Sequence, residues 1–365
     1  MYTKIQSQKM LYQEKANFWL FISLIFVLTA LYFIPINSID GDSRLYNNIT
    51  ANVARRPFKE LFTVKWYGYC KIYPASSVLA EYFYEHPPGL FFWPWIVAQL
   101  GFPDYNALFA VDIIFQICCF IILINLGRRF LPSAYAHLIP FMLLFMPIAF
   151  QYNVRGNHES PLLFYFLLSF LVVISEYKNT WHILVLIFTF TSLTFLKGAL
   201  ALPSFFAVFV MSMVVWRLRQ GSFSRFTKSK PFFFIIIALA FSVFFAIVFE
   251  WIHFKLTVNS FWTININLQV LTRSALPASG SVWLFRKVYN VGFYLLMVSW
   301  YSFPYSIVQS YRFFHRQVNA SYMGDLVLTK EQWQEWRIIA ILTLVCSGIY
   351  IFGLSISDRI AQRYI

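Results

Sequence analysis

Nine long apolar runs constrain this chain more than any other feature: about 18–36, 105–127, 134–151, 160–175, 181–196, 199–216, 231–252, 288–309 and 338–356. Each approaches or exceeds the roughly 20 residues that carry a helix across a hydrocarbon core. A tenth run, 89–101, falls short of that length at about 13 residues. Only 12% of the 365 residues are charged, about half of what a soluble domain usually carries. With 59% hydrophobic residues and a mean hydropathy of +0.61, such a chain needs lipid as its solvent. The expected fold is all-α, a polytopic integral membrane protein of about 9–10 transmembrane helices. Nothing suggests a soluble domain, internal repeat or low-complexity tract, so 1–365 is read as one transmembrane domain.

The net charge of +14 could suggest nucleic acid. The Lys and Arg residues, however, sit in short loops between apolar runs, where they suit the positive-inside bias and anionic headgroups. No nucleic-acid partner is expected, and membrane lipids are. Lys4, Lys9 and Lys15 precede the first run, which is too long for a signal-peptide core and lacks a small-residue cleavage site. It reads as an uncleaved span behind a cytoplasmic tail, 1–17. Cys118, Cys119 and Cys346 lie inside apolar runs and Cys70 is alone on a loop, so no disulfide framework is available.

Dense basic residues set the orientation. The N-terminus, the loop with Arg217, Arg219, Arg225, Lys228 and Lys230, and the loop from Arg312 to Arg337 are placed in the cytoplasm. Arg128 and Arg129 are assigned there too, which makes 89–127 one net crossing with 89–101 a half-helix. The alternative is that 89–101 crosses and Arg128-Arg129 faces outward. The first reading gathers Asp42, Glu85, His86, Arg155, His158, Glu159, Lys197, Arg359 and Arg363 at the outer face.

Two outer stretches carry the chemistry. Ile39-Asp40-Gly41-Asp42-Ser43-Arg44-Leu45-Tyr46 opens the first outer loop, 37–88, and Tyr84-Glu85-His86-Pro87-Pro88-Gly89-Leu90 closes it. Acidic groups beside hydrocarbon are costly, so they call for a functional reason. Leu45, Ile49 and Val53 recur every four residues, predicting an interfacial helix. Asp42 or Ser43 could cap that helix. Asp42 could also act as a general base whose pKa partial burial raises, and the two roles can coexist. Asp40 reads as a solvated neighbour.

Glu85 could complement the dipole of a helix started by Pro87-Pro88, or could join His86 and Asp42 around a divalent ion. Arg155, His158 and Glu159 are three ionisable groups in five residues; the simplest reading is a solvated hairpin tip. Lys197 stands between two spans with almost no loop. It could snorkel, but Gly198 beside it would let an anionic phosphate approach closely. Asp112 and Gln116, one turn apart in mid-span, suit a structural hydrogen bond between helices. The triplets Asn48-Ile49-Thr50 and Asn319-Ala320-Ser321 match the glycosylation pattern by chance, the second being cytoplasmic.

Together these residues resemble the GT-C glycosyltransferases. The resemblance rests on Asp42 to Tyr46 after the first span and on Glu85-His86-Pro87-Pro88-Gly89-Leu90-Phe91-Phe92-Trp93 at the next helix. The branch most similar contains protein O-mannosyltransferases and the lipid A aminoarabinose transferase. Leu196-Lys197-Gly198 is similar to its Thr-Lys-Gly turn, and Arg363-Tyr364 to its Arg-Tyr pair before a late helix. Two features depart from the pattern. Ser43 stands where the family often has Glu, and the chain stops at Ile365 where members usually continue, so the C-terminal part of the family is expected to be missing.

The resemblance implies a GT-C-like fold that transfers a sugar from a polyprenyl-phosphate donor to a lipid, glycan or protein acceptor. The reaction would run at the outer face of a bacterial-type inner or plasma membrane. Asp42 and Glu85 would be catalytic, Lys197, Arg155 and Arg363 would hold the donor phosphate, and His86, His158 and Glu159 would meet substrate or a divalent metal ion. The aromatic spans Tyr289–Tyr305 and Phe232–Phe249 could line a groove for the donor tail. The outer loop 253–287, with Trp262, Arg273 and Trp283, could close over it. Two rivals stand beside this reading: a transporter or lipid flippase, and an O-antigen polymerase or ligase. A transporter would place its ionisable groups near the midplane, whereas only Asp112 is deep here. A polymerase or ligase would leave the Pro-Pro block unexplained.

Overall fold

A computed structural model describes residues 18, 21–22, 25, 41–68, 70, 74, 76–128, 159–220, 225–268, 338 and 341. Among these, the main elements are α1 (Gly41–Ala54), α2 (Gly89–Gln99), α3 (Ala107–Arg128), α4 (Glu159–Ile174), α5 (His182–Lys197), α6 (Leu202–Gln220), α7 (Lys230–Thr257) and α8 (Phe261–Ile266). No strand forms among the described residues; one isolated antiparallel bridge pairs Lys65 with Tyr82.

Among the described residues, three helices are long and apolar enough to cross a membrane: Ala107–Arg128, Leu202–Arg219 and Lys230–Thr257. They coincide with the apolar runs 105–127, 199–216 and 231–252. The runs at 160–175 and 181–196 become α4 and α5, each 16 residues, or about 24 Å at the α-helical rise. The expected spans 18–36, 134–151, 288–309 and 338–356 fall wholly or almost wholly outside the described residues.

The helices join through polar groups as well as packing. Lipid is as apolar as leucine, so buried hydroxyls and indoles supply part of the attraction between membrane helices. Ser169 on α4 donates to Thr189 on α5 (3.0 Å). Thr194 on α5 meets Ser242 on α7 (2.6 Å), and Trp93 on α2 donates to Tyr165 on α4 (2.6 Å). Phe190 and Phe205 stack at 4.5 Å between α5 and α6.

These pairings set directions. Ser169 bonding to Thr189 and Tyr165 to Ser192 make α4 and α5 antiparallel, so the start of α4 and the end of α5 share one end of the bundle. The opposite end gathers Glu176, Lys178, Arg219 and Lys230. There Arg219 pairs with Glu176 (2.9 Å) and Lys230 donates to the Lys178 carbonyl (3.1 Å).

Helix α3 runs against α4, with Phe115 beside Phe164 (5.0 Å) and Cys119 against the Ser160 carbonyl (3.8 Å). It therefore climbs toward the Lys197 end. Helix α2 descends from that end beside α1. Tyr46 meets His86 at the top, and Gln99 donates to the Ala54 carbonyl at the bottom (2.8 Å). The segment 89–127 is thus a helical hairpin that returns to the end it left. This corrects the expected single net crossing, and Arg128 lies toward the Lys197 end. Helix α2 is indeed short: its 11 residues cover about 16 Å, half a hydrocarbon core.

The four-residue apolar pattern of α1 is buried rather than laid on a lipid interface. Ile49 and Val53 are inaccessible, together with Tyr46, against α2 and α3. Helix α7 begins where Ser229 accepts from the Phe232 amide, with Pro231 in its first turn. It continues to Thr257, past the expected loop start at 253, because His253 is buried and satisfied. Its Nδ1–H donates to the Phe62 carbonyl (2.6 Å), which leaves Nε2 to accept from the Tyr84 hydroxyl (3.4 Å).

The helix directions make a labelling prediction. In a cysteine-free background, Arg128→Cys and Lys255→Cys should react with an impermeant thiol reagent from one side of sealed membranes. Arg225→Cys should react only from the other. Labelling of Arg128→Cys from the Arg225 side would overturn the hairpin.

Candidate functional site

The first loop folds into a clasp that delivers Glu85 and His86. The Lys65–Tyr82 bridge is flanked by the Phe83 amide donating to the Val64 carbonyl (2.8 Å) and the Trp66 indole donating to the Leu79 carbonyl (2.7 Å). Trp66, 1% exposed, packs edge-on against Phe83 at 4.8 Å. With 64–66 and 81–83 locked together, the chain emerges at Tyr84 in fixed register. Tyr84 is buried, and burial pushes its phenol up to about 12, so it stays a neutral donor at physiological pH.

Glu85 and His86 are both buried, at 7% and 5% exposure. His86 Nε2 is hydrogen-bonded to the Tyr46 hydroxyl (3.0 Å), and the two rings meet edge-to-face at 5.5 Å. Tyr46 stands one turn into α1 from Asp42. Helix α1 begins at Gly41, which places Asp42 in its first turn. This joins the two stretches singled out in the sequence.

The second junction joins α2 to α5. A Cβ on Gly89 would sit 2.5 Å from the Phe195 carbonyl oxygen and 3.1 Å from the Leu196 nitrogen. The start of α2 therefore lies directly on the last turn of α5, with no room for any side chain. Lys197 follows, half-buried, and Gly198 ends the helix with φ +60° and ψ −133°, a conformation suited to glycine. A Cβ on Gly198 would reach within 3.4 Å of the Pro87 ring. Glu85-His86-Pro87-Pro88-Gly89 and Leu196-Lys197-Gly198, about 110 residues apart in sequence, thus form one seam.

Sequence reasoning missed Asn265 on α8. It is fully buried, and its Nδ2 donates to the carbonyls of Tyr84 (2.8 Å) and Glu85 (3.4 Å). Its Oδ1 would lie 2.5 Å from a Cβ on Gly198. Trp262, expected in a covering loop, packs against Phe195 and donates its indole N–H to the Ala246 carbonyl (3.0 Å). The one available signal was the alternating amides Asn265, Asn267 and Gln269 behind the Ser260 cap, whose side chain accepts from the Thr263 amide.

Glu159 is the first residue of α4, at the same end as Lys197. Arg155, His158, Arg273, Trp283 and Arg363 lie outside the described residues. Asp112 and Gln116 are buried on α3, and no partner for the Gln116 amide is present among the described residues. No group of three His, Cys, Asp or Glu side chains suited to a metal ion occurs among the described residues. No protein-family model, curated protein or solved structure matches this chain.

The seam has a measurable cost of violation. Gly89→Ala should destabilise the protein by about 1–3 kcal/mol, the range for overpacking a filled site, read as a fall in thermal midpoint in detergent. Gly101→Ala reports a different cost: its φ of +96° strains any side chain although open space surrounds it. Gly89 has no positive φ and meets only the packing contact. An unchanged midpoint in Gly89→Ala would mean that the Gly89 contact carries no packing role.

Proposed function

We propose that this chain is a membrane glycosyltransferase of GT-C type, moving a sugar from a polyprenyl-phosphate donor to an acceptor at the extracytoplasmic face. One observation carries the proposal: the Gly89–Phe195 contact joins the acidic His-Pro-Pro block to the Lys197-Gly198 turn. A carboxylate and a phosphate-binding cation at one seam are the groups this transfer requires.

In the proposed reaction an acceptor hydroxyl attacks the anomeric carbon of the donor sugar. The new C–O bond forms as the bond to phosphate oxygen breaks, inverting the centre. Asp42 takes the acceptor proton as general base. Lys197 neutralises charge developing on the departing polyprenyl phosphate. Glu85 supplies the second carboxylate, oriented by Asn265 through the backbone, while Tyr46 fixes the His86 ring beside it. The exposed aromatics of α7, among them Phe241, Phe244 and Phe245, offer apolar surface for the donor's isoprenoid tail.

The test is transfer of label from polyprenyl-phosphate sugars in membranes with and without the protein, scoring lipid, glycan and protein products. Asp42→Asn should lower turnover about 10²–10⁴-fold, the usual contribution of a positioned base, while membrane insertion is retained. Near-normal turnover in Asp42→Asn would move the base to Glu85.

Lys197→Ala should cost about 10²–10³-fold, as for loss of one charge-stabilising donor. Lys197→Arg should rescue only part of this, because a planar fork differs from a point charge. Unchanged activity in Lys197→Ala would reduce Lys197 to a snorkelling residue. A parallel assay with chelator reads out any divalent-ion requirement. Absence of protein-dependent product with every donor would overturn the proposal.

A further inference from the structure

At the end of the bundle opposite Lys197, a cavity of about 190 Å³ opens between the end of α4, the last turns of α6 and the start of α7. One water molecule needs only about 10–15 Å³ of such space. Its lining includes the apolar Val173, Val215 and Pro231 and the charged Arg219, Lys230 and Glu176. Glu176 is already held by Arg219 (2.9 Å) and Lys178 (3.6 Å), so the lining carries one net positive charge.

The polar groups along the cavity differ in what they can offer. The hydroxyls of Tyr177 and Ser212 bond to each other, and Ser212 also donates to the Val208 carbonyl. The Trp216 indole N–H is buried without a hydrogen-bond partner among the described residues. Lys230 uses one ammonium proton on the Lys178 carbonyl (3.1 Å) and has three to give. An indole donor, an ammonium and a guanidinium around a half-apolar cavity between membrane helices match a phosphate group attached to something greasy. Basic pockets between helices near the membrane surface are places where acidic headgroups lodge.

We infer that this cavity binds the phosphodiester headgroup of an anionic membrane lipid, with Arg219 and Lys230 meeting the phosphate and Trp216 donating its N–H. The glycerol backbone rests on Val173, Val215 and Pro231. The site is remote from the Lys197 seam, and the inference stands independently of the transferase reading.

The full chain in nanodiscs of phosphatidylcholine with a minor fraction of phosphatidylglycerol tests it, by native mass spectrometry of retained lipids. Phosphatidylglycerol should be retained preferentially. Arg219→Gln and Lys230→Gln should each weaken that preference about fivefold, the worth of one cation near an anionic headgroup. Trp216→Phe keeps the ring and the charge, so it should fold normally and still lose part of the preference. Lys255→Gln, at the other end of α7, should leave it unchanged. Equal retention of both lipids, no loss in Trp216→Phe, or an equal loss in Lys255→Gln would overturn the inference. So would protection against thermal unfolding by inorganic phosphate alone with no lipid preference, which would make the ligand a free anion.

Discussion

Gly89 resting on the Phe195 carbonyl is the contact on which the candidate site depends. It is backbone on backbone, possible only because glycine has no Cβ. Helix α2 begins there and α5 ends there, so the positive end of one helix dipole lies on the negative end of another. The carbonyls of a last helical turn lack intrahelical partners, and a neighbouring helix start is a favourable environment for them. The contact also fixes Lys197, because the residue after Leu196 has little freedom once Leu196 is pinned. Gly198 then turns the chain under Pro87, and Asn265 closes the arrangement by holding the carbonyls of Tyr84 and Glu85.

Around that seam the bundle is held by few but well-placed polar bonds. Ser242 bonds to Thr194 and to the Phe190 carbonyl, tying α7 to α5 at mid-length. Trp93 and Tyr165 tie α2 to α4, and Ser169 and Thr189 tie α4 to α5. Each bond satisfies a hydroxyl or indole that hydrocarbon would leave unpaired. Such bonds average well under 2 kcal/mol in membranes, so close packing must carry the rest. Leu186, Phe190, Leu193, Val208 and Met211 all have 0% exposure, as that demands.

What could be read in advance was whatever hydropathy and local spacing encode. The apolar runs became helices α3 to α7 with small boundary shifts, and the four-residue pattern of Leu45, Ile49 and Val53 marked the buried face of α1 correctly. Its surroundings were not legible, since an amphipathic pattern does not say whether protein or lipid covers the apolar side. The direction of α3 was misjudged because counting Arg128 and Arg129 measures charge and carries no information about contacts. The Phe115–Phe164 and Cys119–Ser160 pairings that fix it depend on residues far apart in sequence. Asn265 and His253 were overlooked for a related reason. A polar residue in a largely apolar stretch acquires meaning only when its partners, here Tyr84 and Phe62, are known. The seam was half legible: both motifs were visible, but only the backbone contact that Gly89 permits brings them together.

Helix α7 connects the two ends of the described bundle. It starts at Lys230, beside the basic cavity, and its later turns carry Glu250 and His253, which hold Trp262 and the first-loop clasp. Its 28 residues extend about 42 Å, well beyond a hydrocarbon core of about 30 Å. A helix that long must tilt or project into the headgroup layers. Its exposed face, with Phe241, Phe244, Ile247 and Trp251, is apolar through the middle and suits a tilted passage through lipid. Bonded to α5 near its midpoint through Ser242, α7 cannot slide freely against that helix. A change of tilt about this point would displace Lys230 one way and His253 the other. A change of bilayer thickness would therefore act on the same rigid element that braces the Lys197 seam.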